Sequence, residues 1–480
     1  MKYKWFFVGL AIFLLLIVFP LFPTKAQVSN LLAVIIFMGI LWLTETLPIG
    51  ITALLPLVLF PLLNIANANQ VSTNYFNSTI FLFLGGFIIS IAIEKTGLHR
   101  RIAFALLRTL GQTKDGILLA FTISSWFLSM FISNTATALI MLPIAVSVMN
   151  NLSTKLSEDA RGKFSKAILL AIAYSCSIGG IATLIGTPPN LIFHKIYIIN
   201  FPNLPEISFA KWLAIAFPLS LLLLICMYLL LRVFFLWGLP TKVVNLKIFG
   251  DDIAYRGDFT FEQKITLVVF LVTCFLWIFR TTFDLGFVVV PGWADLLGLS
   301  KLVEDSTVSI FAALLLFILP SDFRKNTKIL CIEDLKKVPW DIVLLFGGGF
   351  AIADGFERTG LSDFLAKNLV GYVHLPPYLV ITVVCVVIVA TTEFSSNTAV
   401  ASTFLPIVAS ISKILGIAPI KLMVPATISS SLAFMLPIST PPNAVVFSAG
   451  KIKIVEMAAV GVILNIIGLI LVPLYFYILF

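Results

Sequence analysis

Long apolar runs alternate with short polar breaks along the whole chain. Segments near 5–22, 31–47, 49–65, 76–94, 166–198, 209–237, 264–280, 305–320, 339–357, 421–448 and 453–478 make eleven candidate spans, read as membrane-crossing helices. Two more runs, 117–149 and 376–412, could cross twice but carry polar residues at their centres. Residues 129–144 read SMFISNTATALIMLPI, and 392–407 read TEFSSNTAVASTFLPI. Unpaired polar groups in hydrocarbon are costly. Non-helical backbone at that depth is tolerated where protein buries it or a cavity receives it. The two runs are therefore predicted to be re-entrant helical hairpins that enter and leave on one side.

Composition fixes the class. The chain has 480 residues, 60% hydrophobic and 11% charged, whereas a soluble domain carries about a quarter charged residues. An all-α polytopic membrane protein is predicted, with no separate soluble domain. The N-terminal run MKYKWFFVGLAIFLLLIVFP is long for a signal peptide and further spans follow at once, so it reads as a retained first helix. The net charge of +9 is explained by topology rather than by a nucleic-acid surface. With the N-terminus in the cytoplasm, 23 of the 32 Lys and Arg fall on inside segments, as the positive-inside rule expects. The C-terminus then lies outside a plasma (inner) membrane, and the outer loop around 281–305 is acidic through Asp284, Asp295, Glu304 and Asp305. The cysteines Cys176, Cys226, Cys274, Cys331 and Cys385 form no C-x-x-C pair and read as free thiols. His99, His194 and His374 are far apart, and no set of residues has metal-ligand spacing.

The strongest signal is an internal repeat. GGF at 85–87 matches 348–350, E-[KR]-T-G-L at 94–98 matches 357–361, SNT at 133–135 matches 396–398, and LP at 142–143 matches 405–406, all offset by 263 residues. TPPN at 187–190 recurs at 440–443, offset by 253. Chance could give one such match but not four in one register. Five spans plus one hairpin per repeat make an odd number of crossings. Consecutive repeats are then inverted, the plan of secondary transporters with a midplane site between the halves. The expected units are an extra helix at 1–24, a first repeat at 25–240 (hairpin 117–149, broken helix 166–198), a cytoplasmic linker at 241–263 and a second repeat at 264–480 (hairpin 376–412, broken helix 421–448).

The repeated loops carry the candidate chemistry. Ser, Thr and Asn donate and accept hydrogen bonds and cap helix N-termini, so the helix after each SNT offers free N–H groups to an anion. Oxygens of the same residues can face a small hard cation. The paired prolines of TPPN remove N–H donors and are expected to unwind the middle of a span, with Asn190 and Asn443 tying the broken ends. Ser129 and Thr392 each precede the triplet serine by four residues, which on a helix would place them on its face. No Lys or Arg is expected at the midplane. Carrying a dianion inward against 100 mV costs about 4.6 kcal/mol, which two or more co-transported cations would offset.

These two triplets, two TPPN breaks and the eleven-span, two-hairpin plan resemble the divalent anion:sodium symporter family, over nearly the whole chain. The resemblance implies transport of dicarboxylates, citrate or sulfate with sodium as coupling ion. It implies that Ser133, Asn134, Thr135, Ser396, Asn397 and Thr398 hold the substrate carboxylates and that Thr187, Pro188, Thr440 and Pro441 close the site. One sodium site would use Ser129, Ser133 and Asn134 with the backbone at Gly186. The other would use Thr392, Ser395 and Asn397 with the backbone near Ser439. A lipid-embedded homodimer with a rigid scaffold and a moving transport domain, working as an elevator, is also implied.

Other readings stand beside these. The GGF and E-[KR]-T-G-L pairs read as packing and helix-end features, with Gly85, Gly86, Gly348 and Gly349 at close helix contacts and Gly97 and Gly360 as C-caps. Glu45 reads as structural, and Arg100 and Arg101 as interfacial anchors. Glu393, whose repeat counterpart is Met130, either binds a proton or braces its hairpin, with bracing favoured. The expected activity is sodium-coupled uptake of succinate, fumarate or malate. Sulfate or citrate uptake and sodium-independent exchange are the alternatives. An intramembrane enzyme lacks a nucleophile with a paired base, and a channel leaves the broken hairpins unexplained.

Overall fold

The structure, a computed structural model, describes residues 3–111, 113–150, 157–241, 259–284, 289–322, 327–361, 364 and 376–479. Most of the expected 241–263 linker, and His374, lie outside the described residues. Helices α1 (Tyr3–Val18), α2 (Ala26–Thr44), α3 (Ile49–Thr52), α4 (Leu55–Leu62), α5 (Ala68–Ser72), α6 (Ser78–Lys95) and α7 (Leu98–Leu110) come first. Then α8 (Lys114–Ser129) and α9 (Asn134–Asn150) flank the first SNT, and α10 (Glu158–Ala182) and α11 (Pro188–Asn200) flank the first break. The middle of the chain holds α12 (Phe209–Leu231), α13 (Phe261–Ile278), α14 (Trp293–Leu296), α15 (Asp305–Ile318) and α16 (Trp340–Thr359). The second set is α17 (Pro377–Thr392), α18 (Asn397–Leu415), α19 (Pro419–Ser429) and α20 (Pro441–Phe447), closed by α21 (Ile454–Leu479). Two small antiparallel ribbons pair Phe283–Asp284 with Val289–Val290 and Pro320–Asp322 with Thr327–Lys328.

Seven described helices are long and apolar enough to cross a membrane unaided, and five shorter apolar helical segments have 10–17 residues. The difference from eleven uniform spans has local causes. The run expected as one span at 49–65 divides into α3 and α4, with prolines at Pro56 and Pro61. The runs at 166–198 and 421–448 each divide at a break.

Helix α10 is the axis of the packing. Every residue from Ala167 to Ala182 is buried, and α8, α9, α12 and α20 pack against it. Its start is fixed by Ser157, whose hydroxyl accepts from the Ala160 amide at 3.3 Å, and by Glu158 and Asp159 in the first turn. A second core joins α1–α5 to one face of α16. Large apolar side chains face outward instead on α12 (Leu222, Ile225), α13 (Leu271, Phe275) and α21 (Ile466, Ile470), as a lipid-facing surface requires.

The repeated glycines act in packing. A Cβ on Gly85 would lie 2.6 Å from the Ser309 backbone and one on Gly348 would lie 2.6 Å from the Ala53 carbonyl, so α6 and α16 approach their neighbours closely. Gly86 makes only ordinary contact, 3.6 Å from Ile185. Gly97 (φ 72) and Gly360 (φ 68) follow α6 and α16 in the left-handed region.

Candidate functional site

Both SNT triplets sit where one helix stops and the next begins. Helix α8 ends at Ser129, the chain bends over 130–133, and α9 begins at Asn134. Helix α17 ends at Thr392 and α18 begins at Asn397. Ser133 caps α9, its hydroxyl accepting from the Ala136 amide at 3.2 Å. Ser396 precedes α18 but makes no such side-chain bond. Ser133 is exposed, and Asn134, Thr135, Ser396 and Asn397 are half-buried, whereas Thr398 is buried. The helix-face argument for Ser129 and Ser133 fails because the helix ends between them.

Ser129 reaches Asn134 instead. Its hydroxyl donates to Asn134 Oδ1 (2.5 Å) and to the Cys176 carbonyl on α10 (2.8 Å). Thr392 does the same in the second set, with Asn397 Oδ1 at 2.7 Å and the Ser430 carbonyl at 2.7 Å. A hydroxyl has one proton, so it satisfies one of these oxygens at a time. Each cluster therefore gathers three oxygens around one proton, and the surplus lone pairs suit a small hard cation.

The TPPN segments do not lie inside unwound helix. Their prolines occupy the first helical turn of α11 and α20, where a missing N–H costs nothing. The unwound backbone lies before them, at 183–187 and 430–440. The asparagines tie the ends as expected. Asn190 Nδ2 donates to the carbonyls of Gly180 (2.9 Å) and Thr183 (2.7 Å), and Asn443 Nδ2 to those of Ala433 (3.1 Å) and Leu436 (3.0 Å). All three members of each set match at the 253-residue offset. Thr187 and Thr440 cap the helices in extended conformation, and both are buried, whereas Pro188 is half-buried and Pro441 exposed.

Each break is also bonded to its hairpin bend. Thr183 donates its hydroxyl to the Met130 carbonyl (2.5 Å), and Ser439 donates to the Glu393 carbonyl (2.8 Å). Gly180 completes the first cluster, since a Cβ there would meet Asn134 Oδ1 at 2.8 Å and Thr187 Cβ at 3.1 Å. A Cβ on Gly186 would meet the Gly180 carbonyl at 2.6 Å and Thr183 Oγ1 at 3.0 Å. In the second cluster Ser395 is buried and its hydroxyl has no partner among the described residues. The helices then pack crosswise: α9 contacts α20, and α18 contacts α11.

A family model described as the sodium:sulfate symporter transmembrane region matches residues 2–479. The chain belongs to the sodium:sulfate symporter family. It is 38% identical over 452 residues to the sodium-dependent dicarboxylate transporter SdcS of Staphylococcus saprophyticus, covering 93% of this chain and 85% of that one. The SdcS of Staphylococcus aureus strain NCTC 8325 matches with the same identity and coverage. Among solved structures, the Alcanivorax borkumensis YdaH transporter aligns with a TM-score of 0.59 at 12% identity, over 86% of this chain and 88% of that one. The Neisseria gonorrhoeae MtrF, described with a class of antimetabolite efflux pumps, aligns at 0.59 and 15% identity, over 86% and 83%. At these identities the structural likeness speaks for the fold. The resemblance to divalent anion:sodium symporters therefore holds, and this family member is a multi-pass membrane transporter, not an enzyme.

Two polar features of this symporter escaped the sequence reading. Asp305, expected in an acidic outer loop, is instead the buried first residue of α15 and pairs with buried Arg280 at 2.6 Å. Asp305 Oδ2 accepts from the Phe209 amide (2.7 Å), and Arg280 also reaches the Val303 carbonyl (2.9 Å) and Glu206 (3.4 Å). His194 Nε2 stands 3.5 Å from Glu206 Oε1, at the outer edge of hydrogen-bonding reach. In the 201–208 loop, the His194 ring pulls the Glu206 carboxyl down, burial opposes this and Arg280 adds to it, leaving it at about 2. The second feature is Asn465, a lone amide in the apolar α21, whose Nδ2 donates to Glu393 Oε1 at 2.6 Å. A single Asn in a 26-residue apolar helix was the available signal.

Proposed function

We propose that this symporter carries C4-dicarboxylates such as succinate, fumarate or malate into the cell together with sodium. The observation that carries the reading is the pair of proton-poor oxygen clusters at Ser129/Asn134 and Thr392/Asn397, each placed at the start of a helix. One sodium ion would sit at Ser129, Ser133, Asn134 and the Gly186 backbone. A second would sit at Thr392, Ser395, Asn397 and the backbone near Ser439. The accessible triplet residues Ser133, Asn134, Thr135, Ser396 and Asn397, with Thr398, would hold the two carboxylates through hydroxyls, amides and helix N-termini. Thr187, Pro188, Thr440 and Pro441 would border the substrate. Bound sodium supplies the positive charge that these side chains lack.

The name of the SdcS relatives favours a dicarboxylate, while the family description favours sulfate. Movement of the hairpin-bearing elements against the remaining helices, in an inverted-repeat homodimer with a cytoplasmic N-terminus, completes the proposal. Uptake of labelled succinate into proteoliposomes, with sodium, potassium or choline outside at fixed pH, tests it. Sodium-dependent uptake that unlabelled dicarboxylates suppress and sulfate does not is the expected result. Uptake indifferent to sodium but driven by internal succinate would replace symport with exchange.

A further inference from the structure

Glu393 breaks the likeness between the two sets. It is 2% exposed, and its oxygens collect donors from two separate parts of the chain. Oε1 accepts from the amides of Phe434 (2.9 Å) and Met435 (3.1 Å) and from Asn465 Nδ2 (2.6 Å). Oε2 accepts from the Met435 amide (3.2 Å), and the Ser439 hydroxyl, at 2.8 Å from both Oε2 and the Glu393 carbonyl, shares its one proton between them. No Lys, Arg or His pairs with it among the described residues. Met130 stands at the matching position of the first hairpin and offers its carbonyl alone.

The bonds form a chain that ends at the second oxygen cluster. Glu393 holds the amides at 434 and 435 and the hydroxyl at 439, and so fixes the non-helical stretch 430–440. Ser430, at the start of that stretch, presents the carbonyl that Thr392 meets, and Thr392 in turn meets Asn397. The oxygens of Glu393 are occupied by these donors, so the side chain acts on the cluster through other groups. A side-chain acceptor bonded to several N–H groups fixes them more firmly than neutral contacts do.

We infer that Glu393 is a positioning residue for the second cation site, and that it makes the two sodium sites unequal. The inference rests on the sodium-coupled reading above. The second cluster is held in its cation-ready geometry before any ion arrives, and it has an acidic side chain beside it. The first cluster has no acidic side chain beside it, Met130 standing at that position, and its backbone oxygen is held by α10 alone.

The test is sodium titration of dicarboxylate uptake by the full chain in proteoliposomes, for the unaltered protein, Glu393→Gln and Glu393→Asp. Glu393→Gln keeps the size but places an amide N–H against donors. It should raise the sodium concentration for half-maximal uptake about tenfold or more, the scale of losing a hydrogen bond to a charged group. The succinate KM at saturating sodium should stay within about threefold. Glu393→Asp should recover part of the sodium affinity. If Glu393→Gln does not fold, Ser439→Ala removes one donor and should raise sodium half-saturation about threefold. Sodium half-saturation within twofold of the unaltered protein, in whichever of these variants folds, would overturn the inference while leaving the proposed function intact. Sodium-independent uptake by the unaltered protein would remove the proposed function, and the inference with it.

Discussion

Thr392 donates its hydroxyl to Asn397 Oδ1 at 2.7 Å across the bend between α17 and α18, and Ser129 stands in the same relation to Asn134. The two pairs match at an offset of 263 residues. Their backbone partners do not: Cys176, within α10, and Ser430, just past the end of α19, are one residue out of step with the 253-residue offset of the breaks. The side-chain pairing thus survives a slip in the backbone that supports it.

Removing the Thr392 hydroxyl while keeping its shape isolates this relationship. Thr392→Val should fold, because a buried valine packs as threonine does, but Ser430 O and Asn397 Oδ1 then lose their donor and the cluster loses one oxygen. Sodium half-saturation of uptake should rise about tenfold. Sodium titration at saturating succinate checks this, and an unchanged curve would remove Thr392 from the cation site.

The asparagine ties carry folding rather than coupling. Asn190 and Asn443 are fully buried, and each satisfies two carbonyls that the broken helices leave open. Replacing either with Ala strands both carbonyls, at roughly 2–5 kcal/mol for the pair. Asn190→Ala and Asn443→Ala should each lower the melting temperature of the purified protein in detergent, and by similar amounts. A loss confined to one of them would show that the two breaks are not supported alike.

The Arg280–Asp305 pair is 2% and 3% exposed at its side chains, so neither member tolerates loss of the other. Arg280→Ala should destabilise by about 3–5 kcal/mol, and Arg280→Ala with Asp305→Ala together by less than the two singles summed. Acid acts elsewhere in the same network. Glu206 is held below its ordinary value of 4.5, at about 2, so its contribution is present above pH ~4.5 and is lost as pH falls toward 2. Melting temperature measured against pH should fall in that window, and Glu206→Gln should remove part of the fall. An identical acid limb in Glu206→Gln would exclude this residue.

Motifs with local physical meaning were legible in the sequence. The SNT triplets begin helices, Asn190 and Asn443 close breaks, and Gly97 and Gly360 take left-handed backbone, because each effect depends on residues a few positions away. Contacts between distant segments were not legible. Asp305 looked like a loop charge because nothing near it in sequence announces Arg280, and Glu393 gave no sign that its partners would be 434, 435, 439 and 465. The prolines misled in a specific way. Two in a row suggested an unwound centre, yet the first helical turn accepts them without loss, and the unwinding falls on the residues before.

Gly180 allows the proposed first cation cluster to be probed without replacing any of its oxygen-bearing side chains. A Cβ there would stand 2.8 Å from Asn134 Oδ1 and 3.1 Å from both Asn134 Nδ2 and Thr187 Cβ, so Gly180→Ala must push the Asn134 amide off Ser129. A helical glycine-to-alanine change otherwise favours the helix by roughly 0.5–1 kcal/mol, which keeps the variant folded. Gly39→Ala in α2, where a Cβ meets nothing within 4 Å, supplies the control. Gly180→Ala should raise sodium half-saturation severalfold and lower maximal uptake, with melting temperature held. Gly39→Ala should leave both curves in place. If Gly180→Ala transports with unaltered sodium dependence, Asn134 tolerates displacement and the first sodium site does not depend on its bond to Ser129.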